Sequence, residues 1–398
     1  MSLYRSAALA FWNQSSALLK RSRWFRRLSK SPFYGRMRQR IPVNLGDSYV
    51  DDSDIVRALA PPVLIDWPSG IRKPRVGIVR DYGDSPWWTK YVRFLQTNTI
   101  EFELYNVHTS NWLEKSKEFQ LILGIPSSTA YHLEEVRRKY YVLEKHQKIP
   151  CYPSFEETLL YEDKILELYL SQVYGFPFAE TFATNDLAEA LNAVQELPFP
   201  VVSKMVPCAG SLGVELIRSA RKCRRIIKAA FSNFGRKTHV HYFREKNRVY
   251  LQRFLPNDGY DLRIIIVGKS VFGYFRKVPR GDFRASGMNL VEWRSLPLDA
   301  MRLATSINRR LQFPMLVVDM VGSSDGGYKI IEISPRCQVD PNDEVQVNGQ
   351  SGRYVVENNG SYRFDPGKVW IPELVLKEVL ENLFLKRVLE VDALASSV

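Results

Sequence analysis

Two apolar runs, Met315–Val321 and Tyr328–Ser334, flank the dipeptide Asp325-Gly326. Asp-Gly favours the tight type I′ turn that joins antiparallel strands. With that dipeptide as the turn, Ser324 faces Gly327, Asp319 falls opposite Glu332, and Val317 falls opposite Ser334. On the other pleat Val318, Met320, Ile331 and Ile333 are apolar, so a covered face is expected there. Directly opposed residues have Cβ atoms about 4.5–5.5 Å apart. Two carboxylates that close, beside a buried face, need compensation. A divalent cation of the Mg²⁺ type would supply it through oxygen ligands. Nearby arginines would also supply it, and a one-residue slip in register would separate the two acids. The residues alone leave these three readings open.

The rest of the chain surrounds this hairpin with two grammars. Its 398 residues imply two or three domains. From residue 75 to 153, short apolar strands at 76–79, 102–107 and 119–125 alternate with helices at 88–96 and 129–148. That rhythm predicts a small α/β unit with a parallel sheet. It lacks a G-x-G-x-x-G turn, so a dinucleotide role is not supported. Residues 154–195 read as mostly helical, with Ser154 as a cap and Gly175-Phe176-Pro177 as a stop. Strands and hairpins then follow at 199–205, 249–255, 261–267, 271–278, 315–321 and 328–334, interrupted by helices near 219–232 and 298–311; this is an α+β pattern. Residues 46–74 carry Pro61, Pro62 and Pro68 and an acidic cluster, and read as a connector. Residues 341–398 read as a hairpin and a final helix.

The formal charge of +13 sits mainly on an N-terminal arm, residues 1–45. Ten basic residues and no acid fall within 1–40, and the remainder is close to neutral. Nucleic-acid binding by the whole protein is therefore not indicated. Tyr4, Phe11, Leu18 and Phe25 recur every seven residues, which predicts amphipathic helices in the arm. Three readings stand for it: a solvated basic face with a few residues docked on the main body, an arm on an anionic membrane surface, or a mitochondrial-type presequence. The four cysteines form no C-x-x-C pair, which argues against a zinc site or disulfide framework and for a reducing, cytoplasmic setting. No apolar run approaches the roughly 20 residues needed to cross a bilayer.

Two further pieces carry candidate chemistry. In Val201-Val202-Ser203-Lys204, a lysine lies within an apolar strand, where it needs an anion. Gly210-Ser211-Leu212-Gly213 follows, and such a loop can turn its backbone N–H groups to phosphate. In the second piece Gly268-Lys269 predicts a turn that sets Asp261 opposite Arg276 and Arg263 opposite Tyr274. Arg263, Arg276, Lys277, Arg280 and Arg284 form a cationic cluster suited to a polyanion.

Taken in order, these pieces resemble the ATP-grasp superfamily, and within it the RimK-like carboxylate–amine ligases. The ordered series is Asp163-Lys164 opening a helix, Lys204, Gly210-Ser211-x-Gly213, Gln252-Arg253-Phe254, Asp261-x-Arg263, Gly281-Asp282-Phe283-Arg284, Asp319, and Glu332-x-Ser334-Pro335. The resemblance implies an ATP-grasp fold at 154–340, in two subdomains with a linker near 252–256, preceded by the α/β domain. It further implies that Lys164 and Lys204 contact ATP phosphates and that the loop with Gly210, Ser211 and Gly213 closes over them. Gln252, Arg253, Phe254 and Leu255 would line the adenine pocket, with Asp261 and Arg263 beside the nucleotide. Asp319, Glu332 and Ser334 would hold Mg²⁺ or Mn²⁺, and Arg276 and Arg284 would steady the transferred phosphoryl group. The implied reaction joins a small-molecule or peptide carboxylate to an amine through an acylphosphate, releasing ADP. A kinase outcome and a silent nucleotide-binding regulator are the alternatives.

Two positions depart from the family pattern. Arg253 stands where the linker usually has Glu, and Ser334 where an Asn usually completes the metal site. A hydroxyl is a weaker metal ligand than an amide oxygen.

Overall fold

The computed structural model describes residues 49–83, 85–206, 213–238, 243–256, 258–285, 290–323, 326–337 and 345–385. The basic arm lies outside them. Four parallel strands form the first sheet, in the order Phe102–Leu104, Val76–Ile78, Leu121–Leu123, Cys151–Tyr152. Val76–Ile78 and Leu121–Leu123 are wholly buried, as expected of parallel strands covered on both faces. The helix Ala130–Tyr141 continues as a π-helical turn, Val142–Gln147. Its Arg137 does not face water: it donates to the carbonyls of Thr158, Leu159 and Tyr161, which the short helix Phe155–Leu160 leaves unpaired.

The connector is more ordered than its prolines suggest. Ser53–Leu59 is a helix, and Val56 and Ile65 are buried. Just before it, Asp52 accepts from Thr89 and pairs with the buried Lys90 of helix Trp87–Thr97. This contact spans dozens of residues and leaves no local pattern.

Among the described residues, two larger antiparallel sheets follow, beside a two-stranded one of Arg236–Lys237 and Arg244–Glu245. One runs Thr181–Thr184, Val249–Arg253, Val201–Lys204, Val214–Ile217. Its Thr181–Thr184 strand falls where the sequence reads as helical; pairing with Val249–Arg253 decides its state. The other sheet has eight strands, with Tyr328–Ser334, Met315–Gly322, Tyr260–Val267 and Ser270–Lys277 in succession. The C-terminal strand Gln350–Val356 joins it beside Ser270–Lys277.

The opening hairpin pairs Asp319 with Glu332 and Val317 with Ser334. Its turn differs from the expected two-residue one. Gly322 pairs with Tyr328, and Ser323 N–H donates to Gly327. A register shift between Asp319 and Met320 then restores the counted pairing at the two acids. Because of it Ile330, not Ile331, stands opposite Met320 and is fully buried.

Period-two alternation divides this sheet into two faces. Leu262, Ile264, Ile266, Leu316, Val318 and Met320 pack with the amphipathic helix Leu298–Leu311. Ile265, Val267, Phe272, Met315 and Val317 pack with helices Trp87–Thr97 and Ile371–Leu380. The second face ends where the same strands carry Asp261, Arg263, Arg276 and Asp319. No helix among the described residues is long and apolar enough to cross a membrane.

Glu373, fully buried, ties three segments together: it accepts from Val63 N–H and pairs with Arg93. Glu373→Ala is expected to lower the unfolding free energy by about 3–5 kcal/mol, because Arg93 loses its carboxylate partner and keeps only backbone carbonyls. Denaturant unfolding would check this, and a loss below about 1 kcal/mol would contradict it.

Candidate active site

A cavity of about 430 Å³ opens between the two larger antiparallel sheets. Of the site residues expected from the sequence, all but Gly210, Ser211 and Gly213 line it. Gly210 and Ser211 lie outside the described residues. Gly213 adopts φ +74°, a left-handed conformation suited to glycine, and its carbonyl accepts from Met205 N–H.

The floor is a charged network across three adjacent strands. Arg263 is opposite Asp319, and Asp261 is opposite Arg276. Arg263 grips Asp319 with two parallel bonds, Nε to Oδ1 and Nη2 to Oδ2, each 2.8 Å. Arg276 grips Asp261 in the same way at 2.7 and 2.8 Å, and its Nη2 reaches Asp319 Oδ2 at 2.7 Å. Asp261, Arg276 and Asp319 are each less than a tenth exposed. Burial works to raise the pKa of Asp319, but Arg263 and Arg276 outweigh it and hold the carboxyl well below the usual range.

Two lysines enter from the sides. Lys164 is the first residue of helix Lys164–Tyr174, whose N-cap Asp163 accepts from the N–H groups of Ile165 and Leu166. Its Nζ lies 3.2 Å from Glu332 Oε1. Burial opposes its charge, but Glu332, Glu167 and Glu162 raise its pKa above the ordinary lysine value. Glu167 accepts from Ile333 N–H, and burial pushes its carboxyl up to about 8. Lys204 ends strand Val201–Lys204 and donates to the Ile331 carbonyl at 2.7 Å. Burial lowers its pKa, with Glu332 acting against that.

The remaining wall is the segment Gln252–Leu255. Gln252 is buried and donates to Thr181 Oγ1 and Tyr250 OH. Arg253 points away from the interior and pairs with Glu180 at 3.3 Å. Phe254 meets Phe283 edge-to-face, which joins this segment to the loop bearing Arg284. Arg284 pairs with Asp282 at 2.8 Å and is a third exposed.

Oxygen donors such as those of Asp319, Glu332 and Ser334 suit Mg²⁺. As arranged, they do not fit one. Both oxygens of Asp319 are taken by guanidinium groups, Glu332 is paired with Lys164, and Ser334 Oγ donates to the Arg336 carbonyl at 2.5 Å. Among the described residues no group of three His, Cys, Asp or Glu could hold a metal ion. Of the two facing acids, Asp319 is met by arginines and Glu332 by Lys164.

Among the lining residues not picked out as site residues from the sequence are Tyr161, Glu162 and Arg336. Glu162 adopts φ +63°, its Oε2 has no hydrogen-bond partner, and burial pushes its carboxyl up to about 7. Its adjacency to Asp163-Lys164 was the one available signal. Arg336 follows Glu332-x-Ser334 by two residues and had none.

Asp319→Asn should lower stability by about 3 kcal/mol, since Arg263 and Arg276 lose their shared counterion. The carboxylate's contribution is fully present above the unfolded-state value near 4 and is lost as pH falls through the lower folded-state value. Acid unfolding of the variant should therefore depend less on pH below about 4; an unchanged profile would contradict the network. Mn²⁺ titrated onto the nucleotide-free protein should show no site tighter than millimolar by electron paramagnetic resonance. A micromolar site would show that the acids are open to metal.

Residues 166–349 match the RimK-like ATP-grasp domain family. No curated protein matches the chain. Among solved structures, a RimK domain ATP-grasp protein from Sphaerobacter thermophilus is 18% identical, over 65% of this chain and 90% of that one, with a TM-score of 0.45. D-alanine–D-alanine ligase from Bacillus anthracis is 15% identical over 66% and 86%, with a TM-score of 0.48. A RiPP-associated ATP-grasp ligase from Chryseobacterium gregarium, in complex with ADP and a leader and core peptide, is 16% identical over 66% and 90%, with a TM-score of 0.46. The matched stretch, a little under half of the chain, is thus similar to the RimK-like ATP-grasp domain.

Proposed function

We propose that the protein is an ATP-dependent carboxylate–amine ligase. The observation that carries this reading is the convergence of Lys164, Lys204, Arg263, Arg276 and Arg284 on one cavity within an ATP-grasp domain. The cavity suits ATP: cations gather at one part, and Val202, Val214, Phe254 and Leu255 offer apolar surface for a base. ATP supplies the phosphoryl group. Lys164 and Lys204 would hold its phosphates, and the Gln252–Leu255 segment its adenine. Arg284, on a loop and only partly buried, is placed to follow the charge that moves to the substrate carboxylate. Arg276 is committed to Asp261 and Asp319, so its role is to position Arg263 and Asp319 rather than to touch substrate.

The substrate carboxylate attacks the terminal phosphorus, forming an acylphosphate and ADP. An amine then adds to the acyl carbon, phosphate leaves, and an amide forms. Fixed protein cations offset the developing charge in a site partly shielded from water. No step is assigned to a metal ion, because the oxygens one would need are already engaged.

Incubation with ATP and pooled acids and amines should release ADP, phosphate and amide in equal amounts, read by mass spectrometry. A stable phosphorylated acid formed without amine would establish a kinase instead. ATP bound but never turned over would establish a regulator. Lys204→Met should weaken ATP binding at least tenfold in calorimetry, about 1.4 kcal/mol; unchanged affinity would remove Lys204 from the site.

A further inference from the structure

A second cavity of about 210 Å³ adjoins the first, and the two share Ser128, Tyr161, Arg336 and Cys337. Arg336 stands at the junction. It is 6% exposed, and its guanidinium lies over the Trp87 ring, 4.5 Å from the centroid. Its Nη1 is buried and has no hydrogen-bond partner. Among the described residues, no carboxylate pairs with it. Asp81 lines the same cavity but spends its oxygens on the N–H groups of Gly83, Trp87 and Trp88, at 3.2, 2.8 and 3.2 Å. A buried guanidinium with an idle donor is costly unless an anion meets it. Every other arginine on the floor of the first cavity has such a partner.

We propose that this second cavity binds a small carboxylic acid of amino-acid size, with its carboxylate on Arg336 and its body against Tyr82, Trp87 and Ile125. A planar fork matches a carboxylate with two parallel bonds. The neighbouring Asp81 disfavours a dianion such as phosphate. The position of Arg336 between the two cavities makes this acid the one to be activated; that identity rests on the ligase reading, whereas the binding pocket does not.

The test uses the full chain, titrated with acetate, propionate, succinate and L-glutamate, each against its neutral amide at constant ionic strength. Tryptophan fluorescence reports occupancy beside Trp87, and calorimetry with ATP runs in parallel. At least one acid should bind saturably and at least tenfold tighter than its amide. Arg336→Gln should abolish that preference, and Trp87→Phe should remove the fluorescence response. Should Arg336→Gln fail to fold, Arg336→Lys keeps the charge without the fork and should lose at least threefold in acid affinity. Absence of saturable acid binding, or a preference retained without Arg336, would overturn the proposal. Acid binding without ATP binding would uphold the pocket and overturn the ligase reading; ATP binding without acid binding would overturn the pocket, while the ligase reading is decided by turnover.

Discussion

The buried pairing of Arg263 and Arg276 with Asp319 and Asp261 decides how the central sheet can be used. Farther along the same face their strands carry apolar residues such as Ile265, Phe272 and Val317. Alone, any one of the four would be an unpaired charge in a dry place, which a fold does not tolerate. Together, two acids and two guanidinium groups satisfy one another through bonds of 2.7–2.8 Å. The sheet can therefore change along its length from an apolar surface that carries helices to a charged floor beneath a cavity, without interruption of the strands.

That floor sets the character of the space above it. The acids are neutralised from within, so the side cations, Lys164, Lys204 and Arg284, give the walls their net attraction for a polyanion. Glu332 moderates them and keeps Lys164 in place. The α/β portion supplies the other boundary, since Ser128 lines both cavities and Trp87 carries the Arg336 guanidinium. Nucleotide and acid would thus meet where residues from distant parts of the chain converge.

Much of this was legible in the sequence because strand alternation is a short-range code. Asp319 opposite Glu332 and Asp261 opposite Arg276 follow from local spacing, and the helix start at Asp163-Lys164 came with the resemblance. The hairpin shows how a correct pairing can accompany a wrong turn: the loop is one residue longer than Asp-Gly suggests, and the bulge beyond Asp319 takes up the difference. What escaped was set by long-range packing. The Thr181–Thr184 strand, the docking of Asp52 on Lys90, and the seating of helix Ile371–Leu380 against helix Trp87–Thr97 depend on partners far away in sequence. Arg336 escaped for the same reason, because its isolation is a property of the folded surroundings.

Activation of a carboxylate by ATP leaves an atomic signature. A carboxylic acid labelled in both oxygens with ¹⁸O, turned over with ATP and an amine, should pass one label to the released phosphate and keep the other in the amide. Mass spectrometry of that phosphate tests the central claim directly. One ¹⁸O per phosphate is the result this account predicts; phosphate without label, released alongside amide, would contradict it.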